Sequence, residues 1–155
     1  MLAMQAIFPF SLLMLQPATS LKLNVTAISA RAGSSTLECW QMDQPFNTSS
    51  QPGTAGTAQA PLGSVSSLAY SILPSNFDGG IHNAPQNQWV VFLAGLAYIT
   101  LPDDNTTSAY VTGGQFGLIF VADTKKISKR GHRTQYPGHH RDRCLADSDV
   151  GRPSP

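Results

Sequence analysis

His82 is the side chain whose setting best suits chemistry. It lies in Gly79-Gly80-Ile81-His82-Asn83-Ala84-Pro85. An imidazole titrates near neutrality, so His82 can bind a ligand or act as acid or base. His132, in Gly131-His132-Arg133-Thr134, is the second candidate of this type. Gln88 can hydrogen-bond a ligand through its amide. Each has a plainer role beside the chemical one. Either histidine can be a hydrogen-bonded structural residue, and Gln88 can brace the backbone of a turn. On residue type alone the structural role outweighs catalysis, so no catalytic residue is assigned. His139-His140 sits in a polar stretch and reads as solvated. No nucleophile elbow and no phosphate-cradling glycine loop is present.

Strands must position these groups. Side chains on a strand alternate faces, so His82 and Ala84 point one way and Asn83 the other. Pro85 lacks a backbone donor and ends the strand or puts it at an edge. Pro85-Gln86-Asn87 is then a turn. Gln88 to Leu93, with Trp89, Val90, Val91 and Phe92, is the next strand. Ala94-Gly95-Leu96 turns the chain, and Ala97 to Leu101 returns it. Together these predict an antiparallel meander. Trp89 has the opposite parity to Gln88 and is expected to pack outside the lumen, against the N-terminal arm.

Further strands are expected at Leu21 to Ile28, from Leu37-Glu38-Cys39-Trp40, at Leu68 to Leu73, at Ala109-Tyr110-Val111 and at Phe116 to Ala122. Ala30 to Ser35 reads as a loop. Pro45 to Pro61 is rich in Ser, Thr, Gly and Pro and reads as an exposed loop separating the N-terminal arm from the main domain. Pro102 to Ser108 reads as a polar turn. With 155 residues, 12% charged residues, 13 Gly and 11 Pro, the chain has the make-up of one turn-rich all-β domain. No window sustains helical periodicity.

The spacing around His82 resembles the first motif of the cupin superfamily of jelly-roll barrels. His82 stands at its first His, Ala84 at the second, Gln88 at the Glu and Gly95 at the Gly. The run His-Asn-Ala-Pro-x-x-Gln-Trp-Val followed by Gly-Leu-Ala-Tyr-Ile-Thr-Leu-Pro is similar to small secreted fungal cupin-like proteins, over roughly Glu38 to Gly138. The resemblance implies a cupin-like jelly-roll barrel with a degraded metal site. First-row metals take imidazole and carboxylate donors. Ala84 offers no donor and Gln88 only a neutral amide. Where the second motif should carry a His, Thr112-Gly113-Gly114-Gln115-Phe116-Gly117 carries glycine, which leaves His132 as the alternative late ligand. No cofactor is therefore expected, with a divalent metal as the alternative. Gly131-His132-Arg133-Thr134-Gln135-Tyr136-Pro137 also resembles the fungal group, in which an apolar strand follows. Here residues 139–155 are polar and without pattern, and the barrel is expected to be incomplete at its C-terminal end.

Residues 1–20 read as a secretory signal peptide, with an apolar core from Ala6 to Leu15 and small residues at Ala18-Thr19-Ser20. The alternative is a buried N-terminal strand or helix. The domain is then 21–138 and the protein extracellular, with no membrane span after cleavage. Asn24, Asn47 and Asn105 head glycosylation sequons. Cys39 and Cys144 form a disulfide in one reading; in the other, Cys39 is a buried free thiol.

Seven of the ten Lys and Arg residues lie between Lys125 and Arg143. Lys125 to Arg133 reads as a solvated basic loop. Without interleaved aromatic residues it does not predict nucleic-acid binding. Two alternatives stand beside the expected function, a non-catalytic module binding a small molecule or carbohydrate through His82, Gln88 and His132. One is a metal-dependent cupin enzyme, a dioxygenase or isomerase. The other is a structural or surface interaction protein.

Overall fold

The computed structural model describes residues 21–138. The expected signal peptide, the polar tail, His139-His140 and Cys144 lie outside the described residues. Among the latter the structure is all-β, with ten strands and no helix. The strands are β1 (Lys22–Arg31), β2 (Ser34–Pro45), β3 (Asn47–Thr48), β4 (Ala58–Gln59), β5 (Phe77–His82), β6 (Gln88–Val91), β7 (Leu96–Leu101), β8 (Asp104–Thr112), β9 (Leu118–Val121) and β10 (His132–Tyr136). No helix here is long and apolar enough to cross a membrane.

The strands form two four-stranded sheets, ordered β2-β1-β9-β6 and β5-β10-β7-β8, plus a small β3-β4 ribbon. Both large sheets keep two open edges, so no closed barrel is formed. One core joins them: Ile28, Ile119 and Val121 from the first sheet meet Ala97, Ile99 and Val111 from the second. Burying a side chain such as Ile28 or Ile99 contributes about 1.5–3 kcal/mol. Period-two alternation gives these positions one face: Ala97, Ile99 and Leu101 are buried, while Leu96, Tyr98 and Thr100 are only half-buried. The outer face of the first sheet has its own aromatic cover, in which Phe120 packs between Trp40 and Trp89 at centroid distances of 5.6 and 4.8 Å.

Several expectations need correction. The meander is absent. β5 and β7 both pair with β10, and β6 pairs with β9 in the other sheet. Alternation tells which face a residue takes, but not which strand lies beside it. The N-terminal arm is not separate, because β1 lies inside the first sheet and pairs in parallel with β9 through Thr26, Ala27 and Ile28. Ala30 to Ser35 is not a loop. β1 and β2 run to a two-residue turn at Ala32-Gly33, with Arg31 paired to Ser34.

Leu68 to Leu73 is not a strand. It has no sheet neighbour, and Leu68 and Ile72 are 91% and 82% exposed. The polar turn after Leu101 shrinks to Pro102-Asp103, since β8 already begins at Asp104 and includes Asn105. Phe116 is exposed and precedes β9 rather than belonging to it. Cys39 is not buried either: it is exposed on β2, an edge strand with a neighbour on one side only.

Two connections cross between the sheets at one end of the sandwich. Asn83–Asn87 carries the chain from β5 to β6, and Ala122–Gly131 carries it from β9 to β10. The candidate site lies where these crossings meet.

Candidate functional site

β10 runs between β5 and β7, with His132 directly opposite His82. Opposed residues of an antiparallel pair present their side chains to the same face. Both histidines therefore take the inner face, His132 inside and His82 at the rim. Their rings lie 4.5 Å apart, centre to centre, at 55°. A bulge between Arg133 and Gln135 sets this register, with Gly79 and Gly80 on β5 set against the single Thr134 on β10. Gly80 has φ +65°, a left-handed conformation that glycine adopts without steric cost. Asp78 fastens the bulge: its Oδ1 accepts the Gly80 N–H at 2.9 Å, and its carboxylate holds the Arg133 guanidinium. The Arg133 hydrogen bond, helped by the Gly80 N–H, keeps the Asp78 carboxyl down at about 2, against an ordinary 3.8.

His132 is 4% exposed and is held from behind by Asp123, which is 0% exposed. Asp123 follows β9 in phase with Ile119 and Val121, so strand parity sends its carboxylate inward. Its Oδ2 accepts Nδ1–H of His132 at 2.8 Å and Oγ–H of Ser35 at 2.7 Å. Its Oδ1 faces the Ala84 N–H at 3.4 Å. Ser35 Oγ also lies 2.8 Å from Ser128 Oγ, which accepts the Gly131 N–H at 3.0 Å. One proton arrangement satisfies all of these: Gly131 N–H to Ser128, Ser128 O–H to Ser35, Ser35 O–H to Asp123. No fully buried side-chain nitrogen or oxygen among the described residues lacks a partner. A carboxyl group buried this deeply needs such pairing.

The contact with Asp123 occupies Nδ1 of His132 and leaves Nε2 as its other ring nitrogen. His82 is exposed, and its Nδ1 lies 3.0 Å from the Gly80 carbonyl, so its Nε2 is also the nitrogen left over. Gly131, at φ +78°, leads the chain into β10 so tightly that an added Cβ would overlap the His82 carbonyl.

Outside this pair lies a cleft of about 1160 Å³ between the two crossings. His82, Asn83, Gln86 and Asn87 form one wall, and Lys125, Lys126, Lys129 and Arg130 line the other. Asn83 ties the walls together: its Nδ2 donates to the carbonyls of Asp123 and Ser128, both at 3.0 Å.

Of the three sequence-predicted ligand residues, the structure brings His82 and His132 together but not Gln88. Gln88 sits on β6 opposite Val121, half-buried, and does not line the cleft. Trp89 takes the outer face and donates its indole N–H to the Leu62 carbonyl at 3.0 Å. Asn24, Asn47 and Asn105 are all exposed, on β1, β3 and β8. Asp123, Ser35 and Ser128 escaped sequence reasoning. The available signal was the phase of Asp123 with Ile119 and Val121. Among the described residues no group of three His, Cys, Asp or Glu side chains is arranged to hold a metal ion. His82 and His132 alone fall short of the donor set a first-row metal takes.

Fold and site together define an all-β protein of two facing sheets, with a buried His–Asp pair behind a basic cleft. Comparison with protein-family models, with curated proteins and with solved structures finds no match.

Proposed function

We propose that this chain is a secreted, cupin-like module that binds a small molecule or carbohydrate non-catalytically in the cleft beside His82. The observation that carries the reading is the cleft itself: about 1160 Å³ at a sandwich end, walled by side chains able to hydrogen-bond. The cupin-like part rests on the motif spacing around His82 and on two four-stranded sheets sharing one core. Secretion rests on the apolar N-terminal run and the sequons, whose three asparagines are exposed.

The test is a glycan and metabolite array with protein from a secreting host, followed by titration of each hit. Binding should weaken in His82→Ala and in Gln86→Ala, while circular dichroism stays unchanged. Hits unaffected by both variants would remove the cleft from the reading. Mass spectrometry of the same protein should find glycans on Asn24, Asn47 or Asn105 and a new N-terminus near residue 21. The rival reading, a metal-dependent enzyme using His82 and His132, requires stoichiometric metal that His82→Ala loses, which elemental analysis measures.

A further inference from the structure

We infer that the cleft selects an anionic saccharide, one bearing carboxylate or sulfate groups. This inference rests on the binding function proposed above and narrows its ligand. Four cations line one wall, Lys125, Lys126, Lys129 and Arg130, and no Asp or Glu lines the cleft. Arg130 is already engaged, its Nη1 lying 2.8 Å from Asp103 and 3.2 Å from the Pro102 carbonyl. Among the described residues Lys125, Lys126 and Lys129 form no ion pair. Asp123, the nearest carboxylate in sequence, faces the core and is taken up by His132 and Ser35.

The backbone carrying these lysines is held in place. Ile127 and Ser128 donate to the Thr124 carbonyl, Lys129 N–H donates to the Gly33 carbonyl, and Asn83 clamps Asp123 and Ser128 from across the cleft. Like charges on a short loop repel, and a free loop would spread them apart. A clamped loop keeps their backbone positions gathered, so an anion has only the exposed lysine side chains left to order. The opposite wall suits a polyhydroxylated body. His82, Gln86 and Asn87 are exposed and offer imidazole and amide groups to hydroxyls. Ile81 and Ile127 line the same cleft, both exposed, and offer apolar surface to the C–H face of a sugar ring.

Calorimetric titration of the full secreted chain tests this with tetragalacturonate, a sulfated tetrasaccharide, neutral maltotetraose and inorganic sulfate. At least one acidic tetrasaccharide should bind about tenfold or more tighter than maltotetraose and than sulfate alone. Its affinity should fall as salt rises from about 0.05 to 0.5 M, since screening shortens the reach of the lysines. The combined variant Lys125→Ser, Lys126→Ser, Lys129→Ser should lose about tenfold or more, while the corresponding triple Arg variant retains binding. Maltotetraose binding that equals the acidic probes and ignores the triple Ser variant overturns the anionic inference but leaves a carbohydrate-binding module. Sulfate binding as tight as the tetrasaccharides overturns the saccharide part. Failure of all four probes overturns the inference. In that case only a small-molecule hit from the array, weakened by His82→Ala, keeps the parent reading.

Discussion

Nδ1 of His132 lies 2.8 Å from Oδ2 of Asp123, both side chains being almost wholly out of solvent. The same carboxylate takes the Ser35 hydroxyl and faces the Ala84 amide. One buried group thus ties together β2, β10 and both sheet crossings. Removing it leaves several polar groups without partners. Asp123→Ala should lower the unfolding free energy by about 3 kcal/mol or more. Ser35→Ala, which removes one donor to Asp123 and the acceptor of the Ser128 hydroxyl, should cost less, about 1–2 kcal/mol. Urea unfolding followed by tryptophan fluorescence measures both. Equal, small losses would make the network incidental.

The Asp78 carboxyl, held by Arg133, and the Asp104 carboxyl, held by the Thr106 and Thr107 hydroxyls, both lie at about 2. Their ordinary value is 3.8, so each is depressed in the folded chain. Their stabilisation is therefore full above about pH 5 and is lost as pH falls through 4 toward 2. Thermal unfolding across pH 2 to 6 should show this slope, and Asp78→Asn should flatten it. A variant with an unchanged slope would remove Asp78 from the account.

Gly80 and Gly131 separate backbone strain from steric overlap. Both have positive φ, but an added Cβ meets nothing within 4 Å at Gly80 and collides with the His82 carbonyl at Gly131. Gly80→Ala should cost about 1 kcal/mol, the left-handed penalty alone. Gly131→Ala should cost clearly more, about 3 kcal/mol, and displace His82 from His132. Denaturant midpoints rank the two; equal losses would contradict the close approach.

The stretch from Gly63 to Leu73 is exposed throughout and belongs to no strand. Limited chymotrypsin digestion should therefore cut first at Leu68 or Tyr70, leaving the two sheets intact. Trp89→Phe deletes the indole bond to the Leu62 carbonyl and should speed that cut by freeing the start of the stretch. Mass spectrometry of the early fragments identifies the site. A first cut inside β7 or β9 would contradict this picture.

Strand-favouring residue types and turn signals made the strands at Gln88, Ala97 and Leu37 legible, and period-two alternation gave the common face of His82 and Ala84 and the opposite parities of Gln88 and Trp89. It failed at Leu68, Tyr70 and Ile72, which alternate like a strand but find no neighbour to pair with. It also began β8 at Ala109 instead of Asp104, because polar Asp104 and Ser108 pair with Leu101 and Thr100 through their backbone whatever their side chains prefer.

The all-β character, the inner-face position of His82 and the basic run after Lys125 follow from the order of residue types, because side-chain alternation and turn chemistry act locally. Strand partnership does not. β10 enters between β5 and β7, and β9 between β1 and β6, through hydrogen bonds spanning long stretches of chain. Only those pairings bring His132 against His82, set Asp123 behind it, and turn a basic loop into one wall of a cleft.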